Sequence, residues 1–236
     1  MKNKQRFMRR YLLLFSLAAL VGACREQEPE KPKVIYRDAK PAPTIADTTS
    51  IAIADLPLHL TGTEYLVHPI GDLRIDTRSR YSSSAAGNGI SYNVSTYSEF
   101  EISGFISNIK FQKIGADSLH VLTDKAVLIQ SARLLTDKTS KYIVYTLADM
   151  DTNKDRKLDQ SDVQSLYISL ASGEGFAKLS KDFEELIDWR HIDGTGKVYF
   201  RTIEDTNKNG AFDKDDVIRY YNVNLADMQV STYDPV

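Results

Sequence analysis

Apolar and polar residues alternate along most of this chain with the two-residue period of strands that bury one face. Segments rich in Ile, Val, Tyr and Phe run over Glu64–Ile70, Glu99–Phe111, His120–Leu122, Ala126–Leu134, Tyr142–Thr146, Leu166–Leu170, Val198–Arg201 and Val217–Val223. Polar and glycine-bearing breaks divide them, and Ser82–Asn88 is the break expected to be mobile. One window departs from the pattern. Ser180–Trp189 opens with helix-capping residues, although Glu185–Ile192 suits a strand equally well. The pattern predicts an all-β fold from residue 51 to 236, long enough for one well-buried domain.

The N-terminus reads differently. Lys2, Lys4, Arg6, Arg9 and Arg10 precede an apolar core, Tyr11–Val21, that is eleven residues long. That is too short to span a bilayer and suits a secretory segment. It leads into Val21-Gly22-Ala23-Cys24, which holds the one cysteine of the chain. The tetrapeptide resembles the bacterial lipobox. The resemblance implies removal of residues 1–23 and acylation of Cys24, hence attachment to a bacterial membrane, the outer membrane being favoured, facing periplasm or exterior. An ordinary signal peptide or an uncleaved anchor is the alternative. Residues 24–50 then read as a lipid-anchored tether, because Pro29, Pro32, Pro41 and Pro43 alternate with charged and small residues. Within it, Lys33–Tyr36 carries a weak strand pattern.

Charge narrows the partners. Residues 1–23 hold five basic and no acidic residues, leaving 25 basic against 32 acidic in the rest, a net −7. That argues against nucleic acid and against docking on anionic lipid. With a single cysteine, no disulfide within the chain is available to stabilise it.

Two stretches carry the strongest chemical pattern. Asp151-Thr-Asn-Lys-Asp-Arg-Lys-Leu-Asp-Gln-Ser-Asp162 recurs 54 residues later as Asp205-Thr-Asn-Lys-Asn-Gly-Ala-Phe-Asp-Lys-Asp-Asp216. Oxygen-bearing side chains at positions 1, 3, 5, 9 and 12 of a twelve-residue loop are the spacing that wraps Ca²⁺. In the first loop the assigned ligands are Asp151, Asn153, Asp155, the Lys157 carbonyl, Asp159 through water, and Asp162. In the second they are Asp205, Asn207, Asn209, the Ala211 carbonyl, Asp213 and Asp216. Leu158 and Phe212, at position 8, are expected to point into the core and pin each loop. The loops resemble those of EF-hands and dockerins, position by position. The alternative is a pair of Asx-rich turns that hold no metal.

Three departures from that resemblance set expectations. Position 12 is Asp in both copies, where an EF-hand has a bidentate Glu, which implies weaker binding and some Mg²⁺ tolerance. Position 6 is Gly210 in one loop and Arg156 in the other, where a positive φ costs a side-chain-bearing residue on the order of 1 kcal/mol. Strand patterns flank both loops, so these are not helix-loop-helix hands and have no helices to swing apart. The expected role is structural, with two Ca²⁺ ions. A dockerin function is disfavoured by the long spacing.

Larger repeats contain the loops, at about 142–170 and 197–225. Tyr145 aligns with Tyr199, Val163 with Val217 and Tyr167 with Tyr221. The 54-residue period, less the loop, comes close to the ~40–45 residues of a WD-type propeller blade. Residues 105–225 thus resemble bacterial lipoproteins with propeller-like repeats, with Asn108–Thr139 as a preceding unit. The fold expected is a single all-β domain of antiparallel units, partial or small and propeller-like, with a β-sandwich or irregular stacked sheet as the alternative.

Other chemistry is thin. Ser82-Ser-Ser-Ala-Ala lacks the spacing of a nucleophile elbow, and His59, His68, His120 and His191 are scattered without zinc spacing. Gly173-Glu-Gly175 reads as a turn and not a phosphate cradle. The reading is therefore a non-enzymatic, calcium-binding lipoprotein acting as a binding or scaffold component of the cell envelope, with an envelope protein or glycan as partner. The alternative is a surface glycan-binding or glycan-processing accessory, for which the thirteen tyrosines and Trp189 are the candidate stacking residues.

Overall fold

The alternating segments form strands that pair antiparallel throughout, and among the described residues there is no helix. The computed structural model describes residues 32–36, 50–74, 94–138 and 140–236, all within the compact unit Pro32–Val236. Residues 1–31, with the secretory segment, Cys24 and the first part of the tether, lie outside the described residues, as do 37–49 and the Ser82–Asn88 break.

A first sheet contains β1 (Ser50–Ala54), β2 (Leu58–His59), β3 (Tyr65–Arg74), β6 (Asn108–Lys113) and β7 (Leu119–Val121). Its order is β1-β3-β6-β7, with β2 also on β3. The second sheet contains β4 (Val94–Tyr97), β5 (Glu101–Ile106), β8 (Leu128–Asp137), β9 (Ser140–Ala148), β10 (Gln164–Leu170) and β11 (Ala177–Lys178), in the order β11-β10-β9-β8-β5-β4. The third runs in chain order through β12 (Glu184–Ile192), β13 (Lys197–Glu204), β14 (Val217–Asn224) and β15 (Val230–Thr232).

Glu99–Phe111, continuous in the sequence pattern, is two strands in two sheets. The chain crosses at Ser107, whose N–H and Oγ both donate to the Ile70 carbonyl at 2.7 and 3.1 Å. Asn108–Thr139 is accordingly not one unit, because β6 and β7 join the first sheet and β8 the second.

The second sheet lies in the middle. On β9, Ile143, Tyr145 and Leu147 join one buried cluster with Leu60, Val67, Ile109 and Phe111 of the first-sheet side. Tyr142 and Val144 join another with Leu186, Val198, Phe200, Tyr221 and Val223 of the third sheet. Leu166, Tyr167 and Ile168 on β10 divide in the same way. A strand buried on both faces has no polar side to show, which is why Tyr142–Tyr145 and Leu166–Ile168 read as near-continuous apolar runs.

Glu184–Ile192 is a strand, so its helical alternative falls away. It pairs along β13, with a bulge between Leu186 and Asp188. The extra residue shifts the alternation by one, and Leu186 and Trp189 both come to pack on the second cluster. That broken period resembles a helical one in sequence.

Three sheets of five, six and four strands are present among the described residues. A closed propeller repeats four-stranded blades at least four times.

Candidate metal centre

Both repeats are hairpins: β9 and β10 flank the first loop, and β13 and β14 flank the second. They differ by one residue in register. Tyr167 pairs with Tyr145, whereas Tyr221 pairs with Phe200, so the aligned Tyr145 and Tyr199 are not structural equivalents. A one-residue slip exchanges the faces of a strand. Tyr145 is fully buried and Tyr199 is half-buried. The extra residue is accommodated at Asp149, outside the β9–β10 ladder. Its carboxylate accepts from Ser165 Oγ (3.0 Å), Tyr167 Oη (2.8 Å) and Lys178 Nζ (2.7 Å).

Inside the loops the two copies fold alike. Asp151 Oδ1 accepts from Asp155 N at 3.1 Å and Oδ2 from Arg156 N at 2.9 Å. Asn153 Oδ1 accepts from Asp155 N and Asp155 Oδ1 from Lys157 N, both at 2.9 Å. Asp162 Oδ2 accepts from Asp159 N at 2.9 Å, and Oδ1 from Thr152 N at 2.7 Å. In the second loop Asp205 Oδ1 and Oδ2 accept from Asn209 N (3.2 Å) and Gly210 N (2.8 Å). Asn207 Oδ1 takes Asn209 N, Asn209 Oδ1 takes Ala211 N, and Asp216 takes Asp213 N and Thr206 N. Asp159 and Asp213 accept from Ser161 N and Asp215 N.

Positions 4 and 6 are left-handed in both loops: φ is 58° at Lys154 and 70° at Arg156, 56° at Lys208 and 87° at Gly210. The turn at position 6 is as the sequence predicts, whereas the turn at position 4 is not legible from Lys154 and Lys208. These turns curl each loop, and its side-chain oxygens are held by the loop's own amides.

The donor set is oxygen only, with carboxylate, amide and carbonyl groups, which fits a hard cation such as Ca²⁺. Among the described residues, no three His, Cys, Asp or Glu side chains stand together as a metal-holding group. This includes the four aspartates assigned to the first loop, Asp151, Asp155, Asp159 and Asp162, and the three of the second, Asp205, Asp213 and Asp216; Asn153, Asn207, Asn209 and the carbonyls of Lys157 and Ala211 are of another type.

The copies differ in their surroundings. Asp162 is fully buried and Asp205 nearly so, while Asp216 is half-buried. Burial pushes the Asp162 carboxyl up, and the amides of Asp159, Thr152 and Asn153 oppose that shift. Leu158 and Phe212 are half-buried and belong to neither core cluster, so they do not pin the loops in the way expected. Thr152 anchors the first loop instead, since its Oγ1 accepts from Val163 N at 3.0 Å.

A second departure concerns the tether. Residues 32–36 are docked on both loops: Lys33 N and Val34 N donate to the Gly210 carbonyl (2.7 and 3.1 Å), and Ile35 N to the Thr152 carbonyl (2.9 Å). Val34 is 2% exposed. Its burial is what a proline-rich, charged surrounding hides from sequence patterning.

The histidines stay apart. His59 bonds the Thr63 carbonyl, His68 bonds Gln112, His120 bonds the Ser172 carbonyl, and His191 lies by Asp193. Trp189 is half-buried against the second core cluster, with the Arg133 guanidinium 5.9 Å from its ring centre. The chain matches no family model, no curated protein and no solved structure.

Proposed function

We propose that this protein is a lipid-anchored, non-catalytic component of a bacterial cell envelope whose β domain is fastened by two Ca²⁺ ions. One observation carries the calcium part: two loops in different sheets, 54 residues apart, adopt the same pattern of side-chain-to-amide bonds at the same positions. Turns formed independently have no reason to agree so far. Asp151, Asn153, Asp155, Asp159, Asp162 and the Lys157 carbonyl would hold one ion. Asp205, Asn207, Asn209, Asp213, Asp216 and the Ala211 carbonyl would hold the other.

Strand flanks favour a fastener over a switch. In an extracytoplasmic setting a site with Kd of ~10⁻⁴–10⁻³ M is useful. The lipobox-like Val21–Cys24 supports the anchor, and the strand–loop–strand hairpins support a propeller-like origin for the repeat. Calorimetric titration of the chelator-stripped chain with Ca²⁺ tests the reading. Two ions are expected, and Asp151→Ala and Asp205→Ala should each remove one. Retention of both ions in either variant overturns the ligand assignment.

A further inference from the structure

We propose that residues 32–36 form a strap coupling the two loops, so that an ion in one strengthens binding in the other and both hold the strap in place. The inference rests on the calcium reading above.

The loops sit on hairpins of different sheets, and the strap bonds each of them alternately. Lys33 N and Val34 N go to the Gly210 carbonyl, at position 6 of the second loop. Ile35 N goes to the Thr152 carbonyl, at position 2 of the first, and Thr152 Oγ1 returns a bond to the Lys33 carbonyl at 2.9 Å. Side chains extend the bridge. Lys33 Nζ lies 2.5 Å from Glu185 Oε1, and Glu185 Oε2 accepts from Gln164 N, just beyond the first loop, at 2.8 Å. The Tyr36 ring lies 5.9 Å from that of Phe183, and burial, with the nearby Asp205 carboxylate adding to it, holds its hydroxyl above the usual range.

The residues the strap grips are those the ligand carboxylates orient. Gly210 N donates to Asp205 Oδ2, and Thr152 N donates to Asp162 Oδ1. The Gly210 carbonyl shares its peptide plane with Ala211 N, which donates to Asn209 Oδ1, and the Thr152 carbonyl shares its plane with Asn153 N, which donates to Asp162 Oδ1 at 3.4 Å. An ion drawing on Asn209 and Asp162 therefore fixes the peptide planes to which the strap bonds. By linkage, a docked strap favours the ion by the same free energy. Because one rigid segment reads both loops, ordering one loop presents a better-placed strap to the other. Tyr36 stands near the Asp205 carboxylate of the second loop, so its side chain bears on that loop alone.

The test is calorimetric titration with Ca²⁺ of the stripped full chain in detergent, as wild type, Val34→Asp and Tyr36→Phe, with Asp151→Ala and Asp205→Ala as single-site references. The remaining site in each reference should be weaker than in the doubly competent chain by at least about fivefold. Val34→Asp should weaken both sites and erase that dependence. Tyr36→Phe should weaken the second-loop site without changing circular dichroism. Wild-type affinities in both strap variants overturn the strap and leave the calcium reading intact. No uptake by the wild type at millimolar Ca²⁺ overturns both. If Val34→Asp does not fold, Ile35→Pro, which removes the donor to the Thr152 carbonyl, decides: unchanged affinity at both sites overturns the coupling.

Discussion

A Cβ on Gly210 would stand 2.4 Å from the Val34 carbonyl oxygen. Glycine at this loop position thus answers to two demands, a left-handed backbone at φ 87° and the close approach of residues 32–36. Gly210→Ala meets both costs at once. It should destabilise the domain by about 2 kcal/mol in urea denaturation. A loss no larger than that of an exposed surface substitution would show that the contact with Val34 yields freely.

Arg156 occupies the equivalent position of the first loop at φ 70°, and it is exposed. The left-handed conformation costs a side-chain-bearing residue on the order of 1 kcal/mol. Arg156→Gly keeps the amide that Asp151 Oδ2 accepts. It should therefore raise the melting temperature by a few degrees, an increment of about 1 kcal/mol. A lower melting temperature would mean that Arg156 contributes an interaction that outweighs its strain.

Asp162 and Asp216 hold the same loop position in unlike settings. Asp162 is 0% exposed and takes amides from Thr152, Asn153 and Asp159. In chelator, Asp162→Ala leaves the buried Thr152 amide and the part-buried amides of Asn153 and Asp159 without an acceptor and should cost about 3 kcal/mol. Asp216→Ala, where water reaches the exposed amides of Thr206 and Asp213, should cost about 1 kcal/mol. Equal losses by denaturation would remove the distinction between a loop built into the core and one at its edge.

Alkali should unfold the domain before it titrates all its tyrosines. Burial holds the hydroxyls of Tyr36, Tyr145, Tyr167 and Tyr221 above their ordinary range, with Asp205, Asp149 and Glu184 adding to the shift at the first, third and fourth. A folded pKa above the unfolded value of 10.0 means that the native state retains protons the unfolded chain releases. The contribution to stability is complete below pH 10 and declines as pH rises past it, by up to about 1.4 kcal/mol per pH unit for the fully buried Tyr145. Absorbance of tyrosinate should show a group ionising together with loss of β circular dichroism. Smooth titration of all thirteen tyrosines in a folded chain would contradict it.

Much of the local structure was legible. Tyr142–Thr146, Leu166–Leu170 and Val217–Val223 lie inside β9, β10 and β14, because strand pattern and burial agree there. The loop turns were legible at position 6, where Gly210 marks a positive φ, and hidden at position 4, where lysine does not advertise one. Val230–Thr232 carries no strand pattern, since three residues cannot establish a period. Residues 32–36 read as linker because the apolar run Val34-Ile35-Tyr36 is too short to stand out among the prolines and charges around it, and it is contact with the loops that buries Val34.

By itself the sequence determined the strand content, the oxygen-rich twelve-residue loops and their repetition, because side-chain alternation and ligand spacing are local properties. The tertiary structure alone decided the rest. It placed the two hairpins in different sheets, slipped one register so that Phe200 and not Tyr199 faces Tyr221, and laid residues 32–36 across both loops. The contacts of residues 32–36 join positions more than a hundred residues apart, as Lys33 to Glu185, and no local pattern encodes which distant amide a carbonyl will meet.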